Sequence, residues 1–295
     1  MPRKFENRLG ADQLAALAAV VEFGSFDAAA ENLHVTPSAV SQRIKALEQR
    51  VGQVLVIREK PCQATAAGIP LLRLAAQTAL LETEALAETA GGSVQHTRAA
   101  IAVNADSMST WFTAVLGRLP RVLLDLRIED QDHSAQLLRE GAVMGAVTTE
   151  RTPVPGCRVQ PLGVMRYLPV ASPRFVREHL PDGFTAGAVA QAPSLAWNHA
   201  DALQDMLVRK AFRRVIGRPV HYVPTAEGFG AAVHAALGWG MYPEQLAAPA
   251  LADGSFVRIA DIHLDVPLYW QCWKLDSATV AEITAAVRAA AAGLR

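Results

Sequence analysis

The amino-acid sequence predicts an α/β protein with a smaller all-α region at its N-terminus. Up to about residue 90, apolar residues recur at intervals of three and four, which places them on one face of successive helices. From residue 91 onward, short apolar runs of strand type alternate with helical segments, an order typical of a mostly parallel sheet covered by helices. A chain of 295 residues is long enough to form two or three cores.

The best-defined helix is predicted for residues 36–52. Thr36 suits the N-cap because its hydroxyl can accept an unpaired backbone N–H, and Pro37 suits the first helical position, where no N–H is needed. Hydroxyl, amide and ammonium groups on the outer face can donate to phosphates and to base edges in a DNA major groove. We therefore predict a DNA-reading helix, with an ordinary solvated surface helix as the alternative. The apolar stripe is Val40, Ile44, Leu47 and Val51, and the outer face is Ser38, Gln42, Lys45 and Gln49.

The segments around this helix favour the DNA-reading interpretation. A first helix is predicted from Leu14, Leu17 and Val21, and it ends at Gly24. A second, short helix begins after Ser25 and extends through three alanines, and only a tight turn separates it from residue 36. This is the helix-turn-helix arrangement. A strand at residues 54–57 and a turn at 58–61 add a wing.

The charge distribution also favours DNA at this end of the chain. The formal net charge of the whole chain is zero, but residues 36–60 contain five basic and two acidic side chains, an excess of three positive charges. Because non-specific affinity scales with the number of phosphates neutralised, one copy is expected to bind DNA weakly. Tight binding then requires two or more copies.

A long helix is predicted for residues 65–89. Its apolar surface is too large for a free linker, so a partner helix from a second copy is expected to cover it; a helix packed on its own domain is the alternative. Pro70, about one turn in, is expected to remove an early hydrogen bond and bend the start of the helix. The apolar residues are Leu71, Leu72, Leu74, Ala75, Ala79, Leu80, Leu81, Ala85 and Leu86, and Glu82, Glu84 and Glu88 are expected to be solvated.

The remainder is predicted to form two α/β units, with the chain returning to the first unit near its end. Strands are predicted at residues 99–103, 122–128, 143–147, 167–170, 194–197, 221–223 and 268–274. Helices are predicted at residues 108–119, 135–140, 173–179, 202–214, 226–236 and 279–294.

Polar residues follow the first two of these strands, where open α/β sheets bind ligands. Asn104, Asp106, Ser107 and Ser109 gather at a predicted helix N-terminus, which attracts an anionic group such as a carboxylate. Asp106 is equally suited to be the N-cap of that helix. Two acidic side chains directly after the second strand are candidates for binding a cationic group. They are Glu129 and Asp130, with Trp197 and Glu227 as further candidates, whereas Asp132 is expected to be solvated.

Other classes of protein fit the sequence less well. Asp132, His133 and Ser134 are consecutive and cannot readily form a catalytic relay, and no Gly-x-Ser-x-Gly elbow is present, so we predict no catalytic residues. The three cysteines, Cys62, Cys157 and Cys272, lie far apart and without ligand spacing, so we expect them to be reduced and predict no metal site. Without an apolar signal-type or membrane-spanning run, we place the chain in the cytoplasm.

The N-terminal motif resembles a known family. SFDAAAENLHVTPSAVSQRIKALEQRVG, followed by LVIR and ATAAG, resembles the N-terminal domain of the LysR-type transcriptional regulators. NADSMSTWF, RIEDQDH, GAVTTE, PTAEGFG, LGWGMYPEQLA and LYWQCWK are similar to the ArgP/LysG group of that family. The sequence departs from the family's pattern at Val56, Ala64 and Lys274, where Phe, Leu and Arg are expected. These substitutions keep the apolar or basic character of each position.

The resemblance implies three regions. They are a winged helix-turn-helix DNA-binding domain at 1–64, a linker helix for dimerisation at 65–90 and an effector-binding domain at 91–295. The last is expected to resemble a periplasmic binding protein, with subdomain I at about 91–164 and 268–295, subdomain II at about 165–267, and a ligand cleft between them. The implied DNA-contacting residues are Ser25, Thr36, Pro37, Ser38, Ser41, Gln42, Arg43, Lys45, Arg58, Lys60 and Thr65.

The implied function is regulation of transcription. Members of the group respond to lysine or arginine and control an exporter gene, so the implied partners are a double-stranded DNA operator, a basic amino acid and further copies in a homodimer or tetramer, with RNA polymerase as an additional candidate. No cofactor and no membrane partner are implied. A LysR-type regulator of another effector, or an architectural or replication-origin DNA-binding protein, is the alternative.

Overall fold

The structure, a computed structural model, describes residues 9–89, 96–129 and 131–295, and only the backbone of residues 131–133. Its N-terminal part is the predicted winged helix-turn-helix. Thr36 accepts the Ala39 N–H at 3.2 Å, and Gly52 ends the reading helix with a φ of 74°, a left-handed conformation that glycine adopts without strain. The elements are α1 (Ala11–Glu22), α2 (Phe26–Asn32), α3 (Pro37–Val51), β1 (Val56–Ile57) and β2 (Gln63–Ala64), and the two strands pair antiparallel as the wing.

The core of this part contains the predicted stripe of α3. Val40, Ile44 and Leu47 are completely buried, and they pack with Leu17 and Val20 of α1. The helix predicted from Leu14, Leu17 and Val21 is α1, in which the first two residues are buried and Val21 is half-buried.

The predicted long helix is α4 (Ile69–Thr89). Pro70 is its second residue and not one turn in, so the predicted bend is wrong: the first N–H groups of a helix have no partner within it, and proline costs little there. One face of α4 packs on its own chain through Arg73, Ala76, Leu80 and Glu84, which are spaced by three, four and four residues. The alternative of a helix packed on its own chain therefore holds for this face.

Polar contacts of Arg73 and Glu84 stabilise the packing of this face of α4. The Arg73 guanidinium donates to the Pro155 carbonyl oxygen at 2.7 Å. Glu84 accepts from the Ser277 hydroxyl at 2.7 Å and from the Thr279 N–H at 2.9 Å, and so caps a helix far along the chain. The prediction that Glu84 is merely solvated is wrong. A different face of α4 exposes Leu74 and Leu81.

The C-terminal part is an α/β region with two units. The first contains β3 (Thr97–Val103), α5 (Ala105–Met108), α6 (Thr113–Leu116), β4 (Val122–Ile128), α7 (Gln131–Glu140) and β5 (Gly145–Thr148). After β6 (Cys157–Ala171), the second contains α8 (Pro173–His179), α9 (Ala186–Gln191), β7 (Ser194–Ala196), α10 (Leu203–Phe212), β8 (Val220–Tyr222), α11 (Ala226–His234), β9 (Gly240–Pro243), α12 (Glu244–Ala252) and β10 (Val257–Arg258). The chain returns through β11 (Leu264–Trp273) and ends with α13 (Ala278–Ala291).

The strand order in the large sheet is β10-β6-β11-β5-β3-β4, and β9 also pairs with β6. Strand β3 is parallel to β4 and β5, but β6 is antiparallel to β9, β10 and β11, and β11 is antiparallel to β5. The prediction of a mostly parallel sheet is therefore wrong. The chain passes between the two units twice in opposite directions, and the two passes pair with each other from Leu264 opposite Tyr167 to Trp273 opposite Cys157.

The helix predicted at residues 108–119 is also wrong, because two single-turn helices, α5 and α6, occupy this stretch. The Thr110 hydroxyl donates to the Asp106 carbonyl at 2.6 Å and the Phe112 N–H donates to the Ser107 carbonyl, so local bonds replace the helical pattern. Likewise, the strand predicted at residues 167–170 is only the end of β6. The elements α9, β9, α12 and β10 were not predicted.

The three cysteines are buried and unbridged, as predicted. Burial raises the pKa of the Cys157 thiol to about 11 and also raises the pKa of Cys272, which keeps both as inert thiols. In the described ranges, no helix is both long and apolar enough to cross a membrane. The boundaries at residues 64 and 90 remain predictions.

The cap between α4 and α13 leads to the first testable prediction. Glu84→Ala should lower the free energy of unfolding by about 1 kcal/mol, because it leaves the Thr279 N–H and the Ser277 hydroxyl without their acceptor. Burial alone would raise the pKa of Glu84, but the hydrogen bonds from Thr279 and Ser277 outweigh it and hold the pKa below its usual value. The contribution is thus present above the unfolded-state pKa and is lost as the pH falls through the folded-state pKa.

Urea melts at neutral and acidic pH would measure this effect. Glu82→Ala is the matched control, because Glu82 is exposed on the same helix two residues earlier. Equal melting of the two variants at neutral pH would contradict the proposed cap.

Candidate DNA interface and ligand cleft

The outer face of α3 is open to solvent. Ser38, Gln42, Lys45 and Gln49 are exposed, while on the opposite face Val40, Ile44 and Leu47 are fully buried and Val51 is partly buried. Pro37 is exposed and Ser41 is half-buried beside them. A helix with one buried face and one exposed polar face that includes a cation is suited to enter a major groove.

Three of the predicted DNA-contacting residues hold turns in place. Ser25 accepts the Ala28 N–H at 3.1 Å as the N-cap of α2, and Thr36 is the N-cap of α3. The Thr65 hydroxyl donates to the Val54 carbonyl at 2.7 Å, which joins the wing to the start of α4. These hydrogen bonds stabilise the starts of α2 and α3 and the base of the wing.

The basic side chains near α3 lie at its edges. Arg43 forms an ion pair with Asp12 of α1 at 3.2 Å. Arg58, in the wing, lies 3.8 Å from Glu48 and its guanidinium lies over the Phe26 ring at 5.2 Å. Surface ion pairs are worth little, so a DNA phosphate can replace either acidic partner at small cost. Lys60 is exposed at the tip of the wing.

A cleft of about 350 Å³ lies between the two α/β units. It is formed by the carboxyl ends of β3, β4 and β5, by the loop between β7 and α10, and by β11. Four of its side chains are carboxylates, and within the described chain no Lys or Arg lines it. The lining residues are Asn104, Ala105, Asp106, Glu129, Thr149, Trp197, Asn198, Ala200, Asp201, Ala202, Leu203, Met206, Asp265, Val266 and Pro267.

Two of the four carboxylates already have structural partners. Asp201 accepts the Trp197 N–H at 2.9 Å and the Leu203 N–H at 3.0 Å, which shapes the loop before α10. Asp265 accepts from two nitrogen atoms of the Arg166 guanidinium, Nε at 2.8 Å and Nη2 at 2.9 Å, and this pair holds the pKa of Asp265 below its usual value.

Asp106 differs from both, because its carboxylate has only a neutral donor. The Tyr167 hydroxyl donates to its Oδ2 atom at 2.7 Å, and no ion pair to Asp106 occurs within the described ranges. Burial raises the pKa of Asp106 to about 6; the Tyr167 hydrogen bond opposes that rise and the negative charge of Asp201 adds to it. An uncompensated, desolvated carboxylate attracts a cation. The N-cap alternative for Asp106 is wrong, since Asn104 occupies the N-cap of α5.

Other polar atoms at this end of β3 lack partners. Asn104 lines the cleft and is 4% exposed, yet its Oδ1 atom has no hydrogen-bond partner among the residues described. The Ser107 hydroxyl is also buried and also has no hydrogen-bond partner among the residues described. Buried polar atoms without partners are rare, so this corner retains hydrogen-bonding capacity for a ligand.

The structure brings together some of the predicted effector-binding residues and not others. Asn104, Asp106, Glu129 and Trp197 line the cleft. Ser107 lies behind it, Ser109 is exposed at the end of α5, and Glu227 is exposed on the first turn of α11, outside the lining. Asp130 lies outside the described residues.

Sequence reasoning missed Thr149, Asn198, Asp201 and Asp265. Asp201 follows the end of β7 within four residues of Trp197, and a search of strand ends for acidic residues would have found it. Asp265 lies inside β11, where a charged residue on an alternating strand is usually solvated. No sequence pattern pointed to its place beside the cleft.

Comparisons with known proteins agree with this architecture. Residues 11–69 match the family described as bacterial regulatory helix-turn-helix protein, lysR family, and residues 94–294 match the LysR substrate binding domain. The lysine export transcriptional regulatory protein LysG of Corynebacterium efficiens is 46% identical over 284 residues, which cover 95% of this chain and 97% of the relative.

Two solved structures are similar over nearly the whole chain. A crystal structure of ArgP from Mycobacterium tuberculosis superposes with a TM-score of 0.93 at 77% identity, covering 97% of this chain and 99% of the other. A full-length LysG from Corynebacterium glutamicum with bound effector Arg superposes with a TM-score of 0.83 at 42% identity, again covering 97% and 99%. The resemblance predicted from the sequence is confirmed. The chain belongs to the LysR-type transcriptional regulators, in the LysG/ArgP group, and combines a DNA-binding helix-turn-helix with an effector-binding domain.

Proposed function

We propose that this regulator senses lysine or arginine in the cleft between its two α/β units and controls a gene for export of basic amino acids. The observation that carries the proposal is the cleft wall, with four carboxylates and no Lys or Arg among the described residues. Such a wall favours a ligand with excess positive charge at one end and disfavours an acidic one. The names of the relatives support it, since one is a lysine export regulator and another holds arginine.

The geometry suggests how a basic amino acid lies in the cleft. Its side-chain cation is placed near Asp106 and Glu129, since Asp201 and Asp265 already have other partners. Its carboxylate is placed near the first N–H groups of α5, at Ala105 and Asp106, which a helix leaves unbonded. The single turn of α5 contributes these local donors and little macrodipole.

Calorimetric titration of the full chain tests the effector. Lysine or arginine should bind, whereas leucine and glutamate should not. Asp106→Asn should weaken binding by about 2–5 kcal/mol, because it removes the partner of a desolvated cation. Glu227→Gln, which changes an exposed carboxylate outside the cleft, should bind like the parent. Equal binding of leucine and lysine, or full affinity in Asp106→Asn, would refute the proposed site.

We also propose that α3 reads the operator. Gln42→Ala and Lys45→Ala should each weaken operator binding by about 1–3 kcal/mol without loss of stability, because both side chains are exposed. Ile44→Ala, on the buried face, should instead cost about 2–5 kcal/mol of folding stability.

Gel-shift titration with a duplex selected from a random library by the parent protein would measure binding, and thermal melts would measure stability. Parent-like binding by both exposed variants would show that another element is the reader.

The exposed leucines of α4 support a homodimer as the DNA-binding species. Leu74 and Leu81 are seven residues apart and each is 39% exposed, as expected for a helix that pairs with a second copy. Two copies place two reading helices on one duplex, so the operator should be an imperfect inverted repeat with half-sites about one helical turn apart or a multiple of it. A tetramer and a contact with RNA polymerase are extensions of the same proposal.

Leu81→Glu should dissociate the dimer, because it places a charge in the proposed interface. Leu80 would not test the interface, because it is 5% exposed and packs in the core of the same chain. Sedimentation velocity would report the oligomeric state, with Glu82→Ala as the neighbouring control. An unchanged oligomer in Leu81→Glu would exclude this face of α4 from the interface.

A further inference from the structure

We propose that Tyr167 is a positioning residue for effector recognition: its hydroxyl holds the Asp106 carboxylate in the orientation that meets the cationic end of the ligand. The inference rests on the proposed function and deepens it. Tyr167 does not line the cleft, and its hydroxyl would act on the ligand through Asp106.

The placement of Tyr167 leaves its ring little freedom. It is 1% exposed and lies on β6, opposite Leu264 of β11 on one side and Pro243 of β9 on the other. Strands pair with β6 on both sides at this position, so the phenol is anchored in the middle of the sheet. Its hydroxyl reaches from β6, where the chain crosses between the units, to Asp106 on α5 of the first unit.

The hydrogen bond also gives the two carboxylate oxygen atoms of Asp106 different environments. The Oδ2 atom is occupied by the Tyr167 hydroxyl at 2.7 Å. The other oxygen, Oδ1, therefore remains for the ligand cation. Without the phenol, the carboxylate can rotate, and its reach toward the ligand is no longer fixed.

The acidic groups around Asp106 disfavour its ionised form. Asp201 faces it from the loop before α10, and Glu129 and Asp265 lie in the same cleft wall after β4 and on β11. Arg166 forms an ion pair with Asp265 that compensates its charge, and His263 Nε2 lies 3.6 Å from the same carboxylate. Tyr242 approaches from β9, and its pKa is raised by burial and then by Asp106. Tyr167 is thus the donor that favours the ionised carboxylate before a cation arrives.

This arrangement couples effector binding to a proton. A cation binds the ionised form of Asp106, whereas a proton competes with it, so affinity should fall as the pH drops through about 6. Removal of the phenol hydroxyl takes away a bond that favours the ionised form. The pKa of Asp106 then rises further, and the loss of affinity begins at a higher pH.

Arginine titration of the full chain across a pH series tests the inference. Tyr167→Phe should weaken arginine binding roughly tenfold near pH 6–7, the scale expected for a hydrogen bond to a charged group, and should move the pH midpoint of binding upward. Tyr242→Phe is the matched control, because it removes a hydroxyl from the neighbouring strand that donates to the Ala226 carbonyl and not to Asp106. It should leave both affinity and midpoint as in the parent.

A second variant separates positioning from a structural role. Asp106→Asn should lose the pH dependence near 6, and Tyr167→Phe added to it should have no further effect on binding. A parent-like midpoint in Tyr167→Phe, or an additive loss in the double variant, would overturn the inference while the proposed effector stands. Failure of the parent chain to bind lysine or arginine at any pH would overturn both.

Discussion

The antiparallel pairing of β6 with β11 is the constraint on which the C-terminal part depends. The two strands are the passes of the chain between the units, and they pair from Leu264 opposite Tyr167 to Trp273 opposite Cys157. Side chains of this pair then reach both units: Tyr167 binds Asp106, and Asp265 forms a wall of the cleft. Because Asp265 lies on a strand whose backbone is paired along its length, the sheet fixes the position of this part of the cleft wall.

The same pair of strands also links the cleft to α4. Gln271 of β11 is completely buried; it accepts the Val154 N–H at 2.9 Å and donates to the Glu150 and Thr152 carbonyls at 3.0 and 3.1 Å. These bonds order a loop that begins beside the cleft and ends at Pro155, whose carbonyl binds Arg73 of α4. Hydrogen bonds thus connect β11 and the loop at the edge of the cleft to α4, the helix that follows the helix-turn-helix.

Charge is segregated within a chain whose net charge is zero. The excess of basic residues lies around α3 and the wing, while acidic residues concentrate in the cleft. The basic region therefore favours the negatively charged phosphates of DNA, and the acidic cleft favours a positively charged group. The net charge of zero does not reveal these two regions of opposite charge. The local distribution of charge is therefore more informative about function than the net charge.

The sequence by itself determined the features that depend on local patterns. Helix α3 with its cap at Thr36 and its buried stripe, the wing, the existence of α4 and the alternation of strands and helices all follow from near neighbours along the chain. Only the tertiary structure decided the antiparallel crossing strands, the docking of α4 through Arg73 and Glu84, and the approach of Asp201 and Asp265 to Asp106. These contacts join residues that are distant in sequence, such as Glu84 and Ser277. Their partners are selected by sheet register and packing, which no local spacing encodes.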